Sequence, residues 1–181
     1  ENVAERYGVT REEQDAFALE SQRRAQEALA SGAVAGEITP VTISSRRGDV
    51  VIDTDEHPRA VTIEKLAAMR PVFAKDGTVT AGNASGINDG ACMLVLTRAS
   101  VAAERGLEPK AELVDFTKVG IEPEIMGYAP KPAIEKILDR NGLTKDQLGW
   151  IELNEAFAAQ AIPVIRDLEL DEAKVNPLGG A

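Results

Sequence analysis

The sequence is short of the residues that carry most covalent and metal chemistry. It holds one cysteine, Cys92, and one histidine, His57, in 181 residues. A single cysteine excludes a disulfide within the chain and any cysteine-rich zinc site, and with one histidine beside it no metal site is expected. Positive charge is also scarce, with 20 Lys and Arg against 30 Asp and Glu, a formal net charge of −10 that repels a phosphate backbone. The densest basic spots, Arg23-Arg24 and Arg46-Arg47, are short and lack interleaved aromatics, which argues against nucleic acid as a partner. No apolar stretch approaches the roughly 20 residues of a membrane helix, and no signal-peptide pattern opens the chain. One unpaired cysteine fits a reducing compartment, and the expected location is the cytoplasm.

What is present is the balance of a folded globular protein, 44% apolar and 28% charged, in a length that supports one ordinary core and part of a second. The chain opens on Glu1, and "ENVAERYG" has the form of the last turns of a helix closed by Gly8. "VNPLGGA" stops on two glycines that normally lead a chain through a tight passage. These ends imply a segment of a longer protein.

Between them the pattern alternates. "TREEQDAFALESQRRAQEALASG" starts with a capping box, Thr10 and Glu13, and stops at Gly32, a helix with Phe17 and Leu29 on one side among alanines. "EITPVTI" and "DVVID" alternate like half-buried strands, the first at an edge because of Pro40, and Thr62 caps a short helix in "TIEKLAAM". "ACMLVLT" is continuously apolar, the pattern of a strand covered on both faces, and a short helix from Ala99 to Arg105 follows. "KAELVDFTKVG" predicts another strand, "KPAIEKILDRNG" a helix stopped by Gly142, and "TKDQ" a second capping box. "WIEL" then predicts a strand running into a helix "NEAFAAQAIPVIRDL", with Asn154 as its cap and a kink at Pro163. The order predicts an α/β fold with a mixed or parallel sheet, and a boundary in the Gly/Asn segment before Ala91.

The loop "TVTAGNASGINDGA" carries Gly82, Gly86 and Gly90 with polar residues between them, but neither the Lys-Ser/Thr of a P-loop nor the spacing of a dinucleotide fingerprint. It is either a tight corner or a place where a ligand approaches the backbone. Cys92 lies inside the apolar run, so it is expected to be buried and inert. His57, among acidic neighbours and before a proline, has the surroundings of a solvated loop histidine. No other nucleophile and base pair is available.

Taken together, "RPVF", "GTVTAGNASGINDGA", "IMGYAPKPA", "IELNEAFAAQA" and "VNPLGGA" resemble the thiolase family, and the opening "ENVAERYGVTREEQDAFALESQ" resembles part of its loop domain. The resemblance runs in order along essentially the whole chain. It implies a thiolase-like fold, part of a five-layered αβαβα architecture truncated at both ends. Residues 1–87 would be the later part of the loop domain, 88–108 the last strand and helix of the N-terminal half, and 109–181 the first part of the C-terminal half.

The same resemblance implies transfer of acyl groups between coenzyme A thioesters, either cleaving a 3-ketoacyl-CoA or condensing two acyl-CoA units. A cysteine thiolate takes the acyl group, a histidine activates it, and a second cysteine moves the proton. By motif position these would all lie outside the 181 residues, leaving the chain without turnover of its own. Ser85 would hydrogen-bond the pantetheine arm, with Ala84 beside it, Phe73, Met126 and Phe157 as apolar walls, and Arg59 near the nucleotide phosphates. Asn154 would fix a water that stabilises negative charge on a thioester oxygen. Coenzyme A thioesters are then substrates, no cofactor is permanently bound, and the protein is a homo-oligomer, dimer or tetramer. The alternative is a noncatalytic acyl-CoA-binding or assembly module.

Overall fold

A computed structural model describes residues 1–180. Helix α1, Asn2–Tyr7, turns at Gly8, whose φ of 63° lies in the left-handed region that glycine enters without strain. Helix α2, Arg11–Ser31, begins at the capping box: Thr10 Oγ1 accepts from the Glu13 N–H and Glu13 Oε2 accepts from the Thr10 N–H at 2.7 Å. Its buried stripe is Gln14, Asp15, Ala18, Ser21, Gln22, Ala25 and Ala28, at helical spacing, while Phe17 and Leu29 sit at the margins. This differs from the expected Phe/Leu face because α2 packs partly on backbone. A Cβ at Gly179 would fall 2.6 Å from the Ala25 nitrogen, so only small or hydrogen-bonding side chains fit there.

Strands β1, Val41–Ser45, and β2, Gly48–Ile52, form an antiparallel hairpin in register from Val41↔Ile52 to Ser45↔Gly48. Pro40 stands just before β1 and takes no ladder bond away. Both faces of the hairpin are open rather than half-buried as its alternation suggested, since the two strands pair only with each other. Helix α3, Ile63–Ala67, is capped by Thr62 and anchored by Leu66, which is fully buried.

Helix α4, Ala99–Glu104, is followed after a long extended stretch by a 3-10 turn, Pro123–Tyr128, and by α5, Pro130–Asn141, with proline in its first turn and Gly142 in the left-handed region after it. The second capping box forms as expected at Thr144 and Gln147. Helix α6, Ala158–Asp167, carries Pro163 inside it, fully buried, and runs on past it.

α6 organises the core. Ala161, Val164 and Ile165 pack with Tyr128, Leu153, Leu170 and Val175, and Ala159 joins a second cluster with Ala4, Val9 and Val79. Tyr7 stacks on Tyr128 with ring centroids 4.1 Å apart, and the Tyr128 hydroxyl donates to Asp167 at 2.6 Å. Burial first, then this carboxylate, pushes the Tyr128 hydroxyl above its ordinary range.

Three predicted strands do not form among the described residues. Residues 91–98 and 110–120 form no regular element, the first open to solvent and the second mostly so with Asp115, Thr117 and Val119 half-buried, and "WIEL" makes a single parallel bridge, Ile151 with Val175. A strand needs a neighbouring strand to take up its N–H and C=O groups, and among the described residues none pairs with the first two segments; 110–120 is held instead by side chains of α5, Lys136 on the Lys118 carbonyl and Arg140 and Asn141 on Asp115. Met93, Leu94, Val95 and Leu96 are therefore 75–90% exposed, and Cys92 is exposed rather than buried. The strand expected within 88–108 is thus absent from this structure, while its helix, α4, is present.

Candidate functional site

The polar loop after Thr78 is held from beneath by α2. Asn83 Oδ1 accepts from the Thr80 N–H at 2.8 Å, closing the loop on itself, while Asn83 Nδ2 donates to Asp15 Oδ1 at 2.9 Å and to the Thr78 carbonyl at 3.1 Å. Asp15 is 1% exposed and its second oxygen accepts from Arg11 Nε at 2.7 Å. Arg11 in turn donates to the Leu66 and Met69 carbonyls, so the carboxylate, the guanidinium and the loop form one satisfied buried network.

That loop meets the segment Asn154–Ala158 through the backbone. Ala84 and Phe157 form an antiparallel bridge, the Ser85 N–H donates to the Ala156 carbonyl at 3.0 Å, and the Ala158 N–H donates to the Asn83 carbonyl at 2.9 Å. The last bond corrects the expectation for Asn154. α6 starts at Ala158, with Phe157 in the capping position and no side-chain cap, and its first free N–H is taken by Asn83 from far upstream. Asn154 stands before the helix with its side chain exposed, and Gln160, in the amide orientation that satisfies both its ends, donates to the Asn154 carbonyl at 3.1 Å.

A cleft opens where these segments meet α2, and Ala84, Ser85, His57, Arg59, Gln22 and Glu155 are among its lining residues. The Ser85 side chain is exposed and, among the described residues, its hydroxyl makes no hydrogen bond. Arg59 is fixed through its backbone: its N–H donates to Gln22 Oε1 at 2.8 Å, and its carbonyl accepts from Gln26 Nε2 at 2.8 Å. Its guanidinium is exposed and, among the described residues, pairs with no carboxylate. His57 is half-buried, its ring against Gly86, where an added Cβ would lie 2.8 Å from Cε1 and push the ring aside.

Of the expected site residues the cleft brings together Ala84, Ser85 and Arg59. Phe73 and Phe157 meet edge to face at 5.9 Å, forming one apolar wall beside the bridge at Ala84. Met126 is 74% exposed on the 3-10 turn and is not among the residues lining the cleft. Cys92 is outside it as well. The supports missed in the sequence are Asp15, Gln22 and Gln26 on α2, and the buried pair Glu155 and Asn176. For α2 the signal was available: Asp15 and Gln22 fall on the face of Ala18 and Ala25, where a polar residue must have a buried partner.

Residues 1–100 match the family model described as thiolase, N-terminal domain, and residues 107–181 match thiolase, C-terminal domain. The chain is 56% identical over 185 aligned residues to a beta-ketoadipyl-CoA thiolase of Acinetobacter baylyi and 50% identical over 183 to an acetyl-CoA acetyltransferase of Syntrophomonas wolfei. Each alignment takes in 100% of this chain and 46% of the relative, so the chain spans about half the length of the curated relatives it matches. Among solved structures, the acetyl-CoA acetyltransferase of Bacillus anthracis superposes with a TM-score of 0.96 at 49% identity, over 99% of this chain and 46% of that one. Human mitochondrial 3-ketoacyl-CoA thiolase superposes at 0.91 with 39% identity, again over 99% and 46%. The segments without a pairing strand are thus parts of a truncated thiolase-like α/β fold, and the chain belongs to the thiolase family.

Proposed function

We propose that the whole protein is a thiolase-type acyltransferase that cleaves 3-ketoacyl-CoA or condenses two acyl-CoA units through a cysteine acyl-enzyme. The observation that carries this reading is the backbone pairing of the loop at Ala84-Ser85 with Ala156-Phe157. It joins the residue that would take the pantetheine arm to the segment that carries Asn154. Ser85 then hydrogen-bonds the arm, Ala84 and the Phe73–Phe157 pair flank it, Met126 adds a further apolar surface, and Arg59 meets the nucleotide phosphates.

Chemically, the acyl group passes from the ketoacyl substrate to a cysteine Sγ, and the departing acetyl-CoA carbanion, stabilised as its enolate, takes a proton at Cα. Asn154, whose side chain faces solvent, orients a water that donates a hydrogen bond to the enolate oxygen. The nucleophile, its activating histidine and the proton-shuttling cysteine come from parts of the whole protein other than these 181 residues. Of the domain assignment, 1–87 as loop domain, 88–108 as the end of the N-terminal half and 109–181 as the start of the C-terminal half belong to the same proposal. So does assembly as a homo-oligomer in the cytoplasm, checked by sedimentation and cell fractionation.

The test is an assay of the whole protein with acetoacetyl-CoA, longer 3-ketoacyl-CoAs and 3-ketoadipyl-CoA, the last because relatives of both names align along the full chain. Asn154→Ala should lower kcat by about 10² to 10³, as loss of one oxyanion donor does. Because Asn154 is not the cap of α6, the unfolding midpoint should stay unchanged. An Asn154→Ala enzyme with the original kcat would sink the mechanistic role. The second reading, a noncatalytic acyl-CoA-binding module, is favoured for the 181 residues taken alone, whose one cysteine lies outside the cleft; binding of CoA without turnover by the whole protein would establish it.

A further inference from the structure

Asn176 is 2% exposed and adopts φ 44°, in the left-handed region that asparagine tolerates better than most residues. Its backbone continues the short parallel pairing of the two segments: the Ile151 N–H donates to the Lys174 carbonyl at 2.9 Å and the Asn176 N–H to the Ile151 carbonyl at 2.8 Å. One step further along, the side chain takes over from the backbone. Asn176 Oδ1 accepts from the Leu153 N–H at 2.7 Å and Nδ2 donates to the Leu153 carbonyl at 2.7 Å, so the amide satisfies both groups of one residue as a neighbouring strand would. Nδ2 also donates to Glu155 Oε1 at 2.6 Å, and Glu155 is itself only 8% exposed.

These three bonds grip the chain on either side of Asn154, at Leu153 and at Glu155, and leave the Asn154 side chain free and facing outward. Gly180 closes over the grip so tightly that an added Cβ would meet Asn176 Nδ2 and lie 2.6 Å from Glu155 Cδ. A buried carboxylate held by a single amide donor, at the joint between the proposed water-orienting residue and the cleft, is more than packing demands. An apolar pair of the same shape would fill the space with less desolvation.

We infer that Asn176 and Glu155 are positioning residues that set the direction of the Asn154 side chain, acting through the two residues that flank it. The inference rests on the proposed role of Asn154. Among the described residues, the amide of Asn176 is the group that donates to the Glu155 carboxylate while accepting from the Leu153 N–H. Replacing its donor end by a second carboxylate oxygen turns the attraction to Glu155 into repulsion and leaves the Leu153 carbonyl without a partner. The segment should then turn at Leu153–Glu155 and carry Asn154 off its line, while the loop of Ser85, joined to the segment at Ala156, keeps its second anchor through Asn83 on Asp15 and the Thr78 carbonyl and so retains most of its pantetheine contacts.

The experiment uses the whole protein and measures kcat and KM for acetoacetyl-CoA cleavage in Asn154→Ala, Asn176→Asp and the double variant Asn176→Asp/Glu155→Gln. Aspartate keeps the shape and tolerates the left-handed backbone, so Asn176→Asp avoids the strain of an alanine there. Its kcat should fall by about 10²-fold, the effect of a displacement of an ångström, with KM changed by less than about twofold. Glu155→Gln on top of it reverses the direction of the bond, the new amide at position 155 donating to the new carboxylate at position 176, and should recover kcat by about tenfold. A wild-type kcat in Asn176→Asp, with Asn154→Ala impaired, overturns the positioning role alone. A loss in Asn176→Asp that appears in KM, or that Glu155→Gln does not relieve, also overturns it. If Asn154→Ala keeps its kcat, the mechanistic reading fails and this inference fails with it.

Discussion

In the 181-residue chain Cys92 should behave as an open thiol, and the apolar run that follows it should drive self-association. Met93, Leu94, Val95 and Leu96 are 89%, 79%, 90% and 75% exposed. Fully burying such a side chain is worth roughly 1.5 to 3 kcal/mol, so covering the four offers roughly 6 to 12 kcal/mol. Against this stands an association cost on the order of 4 to 15 kcal/mol, so at most about 8 kcal/mol remains and the contact is no tighter than about micromolar. Strand geometry puts Leu94 and Leu96 on one face and Met93 and Val95 on the other. Replacing Leu94 and Leu96 by serine removes one face, roughly 3 to 6 kcal/mol, and should weaken association by about 10² to 10⁴. Sedimentation over a concentration series and titration of Cys92 with a thiol reagent read the two quantities together. The wild-type chain should associate and lose thiol reactivity as it does so, and the double serine variant should stay monomeric with Cys92 reactive throughout. In the whole protein, where the run is proposed to be a covered strand, Cys92 should be protected. A wild-type chain that stays monomeric without binding an apolar dye, or a monomer whose Cys92 does not react, would refute the reasoning.

The 181-residue chain alone should not cleave acetoacetyl-CoA, and CoA-dependent cleavage abolished by Cys92→Ser would show the opposite. Asp15→Ala in the whole protein leaves Arg11 and Asn83 without their shared carboxylate. It should cost about 3 kcal/mol, the low end for breaking a buried pair because Arg11 keeps the Leu66 and Met69 carbonyls; a urea unfolding shift under about 1 kcal/mol would count against the network. The Arg23 hydrogen bond, seconded by Arg24, holds the Glu20 carboxyl down to about 2 from an ordinary 4.5. A depressed folded value means this stabilisation is complete above about 4.5 and is lost as pH falls toward 2. Glu20 is 42% exposed, so the contribution should stay below about 1 kcal/mol, and NMR titration of Glu20 in Arg23→Ala should show its pKa rise.

The features legible in the sequence are those decided within a few residues. The capping boxes at Thr10 and Thr144, the cap at Thr62, and the left-handed stops at Gly8, Gly32 and Gly142 all form as read, because their partners are at most four residues away. Misreadings occur where the partner is distant. Asn154 precedes a helix and is a good capping residue, yet the Asn83 carbonyl reaches the helix end first and the helix begins later. The large residues of α2 suggest its inner face, but the partner of that face is the backbone near Gly179, which admits only small ones. "ACMLVL" has the composition of a covered strand, and whether it is covered depends on chain that does not lie beside it here. Cleft residues became legible through family motifs; of the residues that hold them in place, Asp15 and Gln22 share the alanine face of α2, a readable signal, whereas the partners of Asn176, Leu153 and Glu155, lie 23 and 21 positions away and no local pattern names them.

The attachment of α2 to the segment 172–180 bears on synthesis. Arg24 donates to the Val175 carbonyl across 151 positions, and Ser21 Oγ accepts from the Gly180 N–H across 159. A ribosome adds about 5 to 20 residues per second, so this part of α2 is made about 8 to 30 s before the residues that cover it. Throughout that interval the helix presents polar groups and alanines rather than a greasy stripe. A face of Ser21 and Ala25 with Arg24 beside it can wait in water for its partner with little tendency to stick to the wrong one.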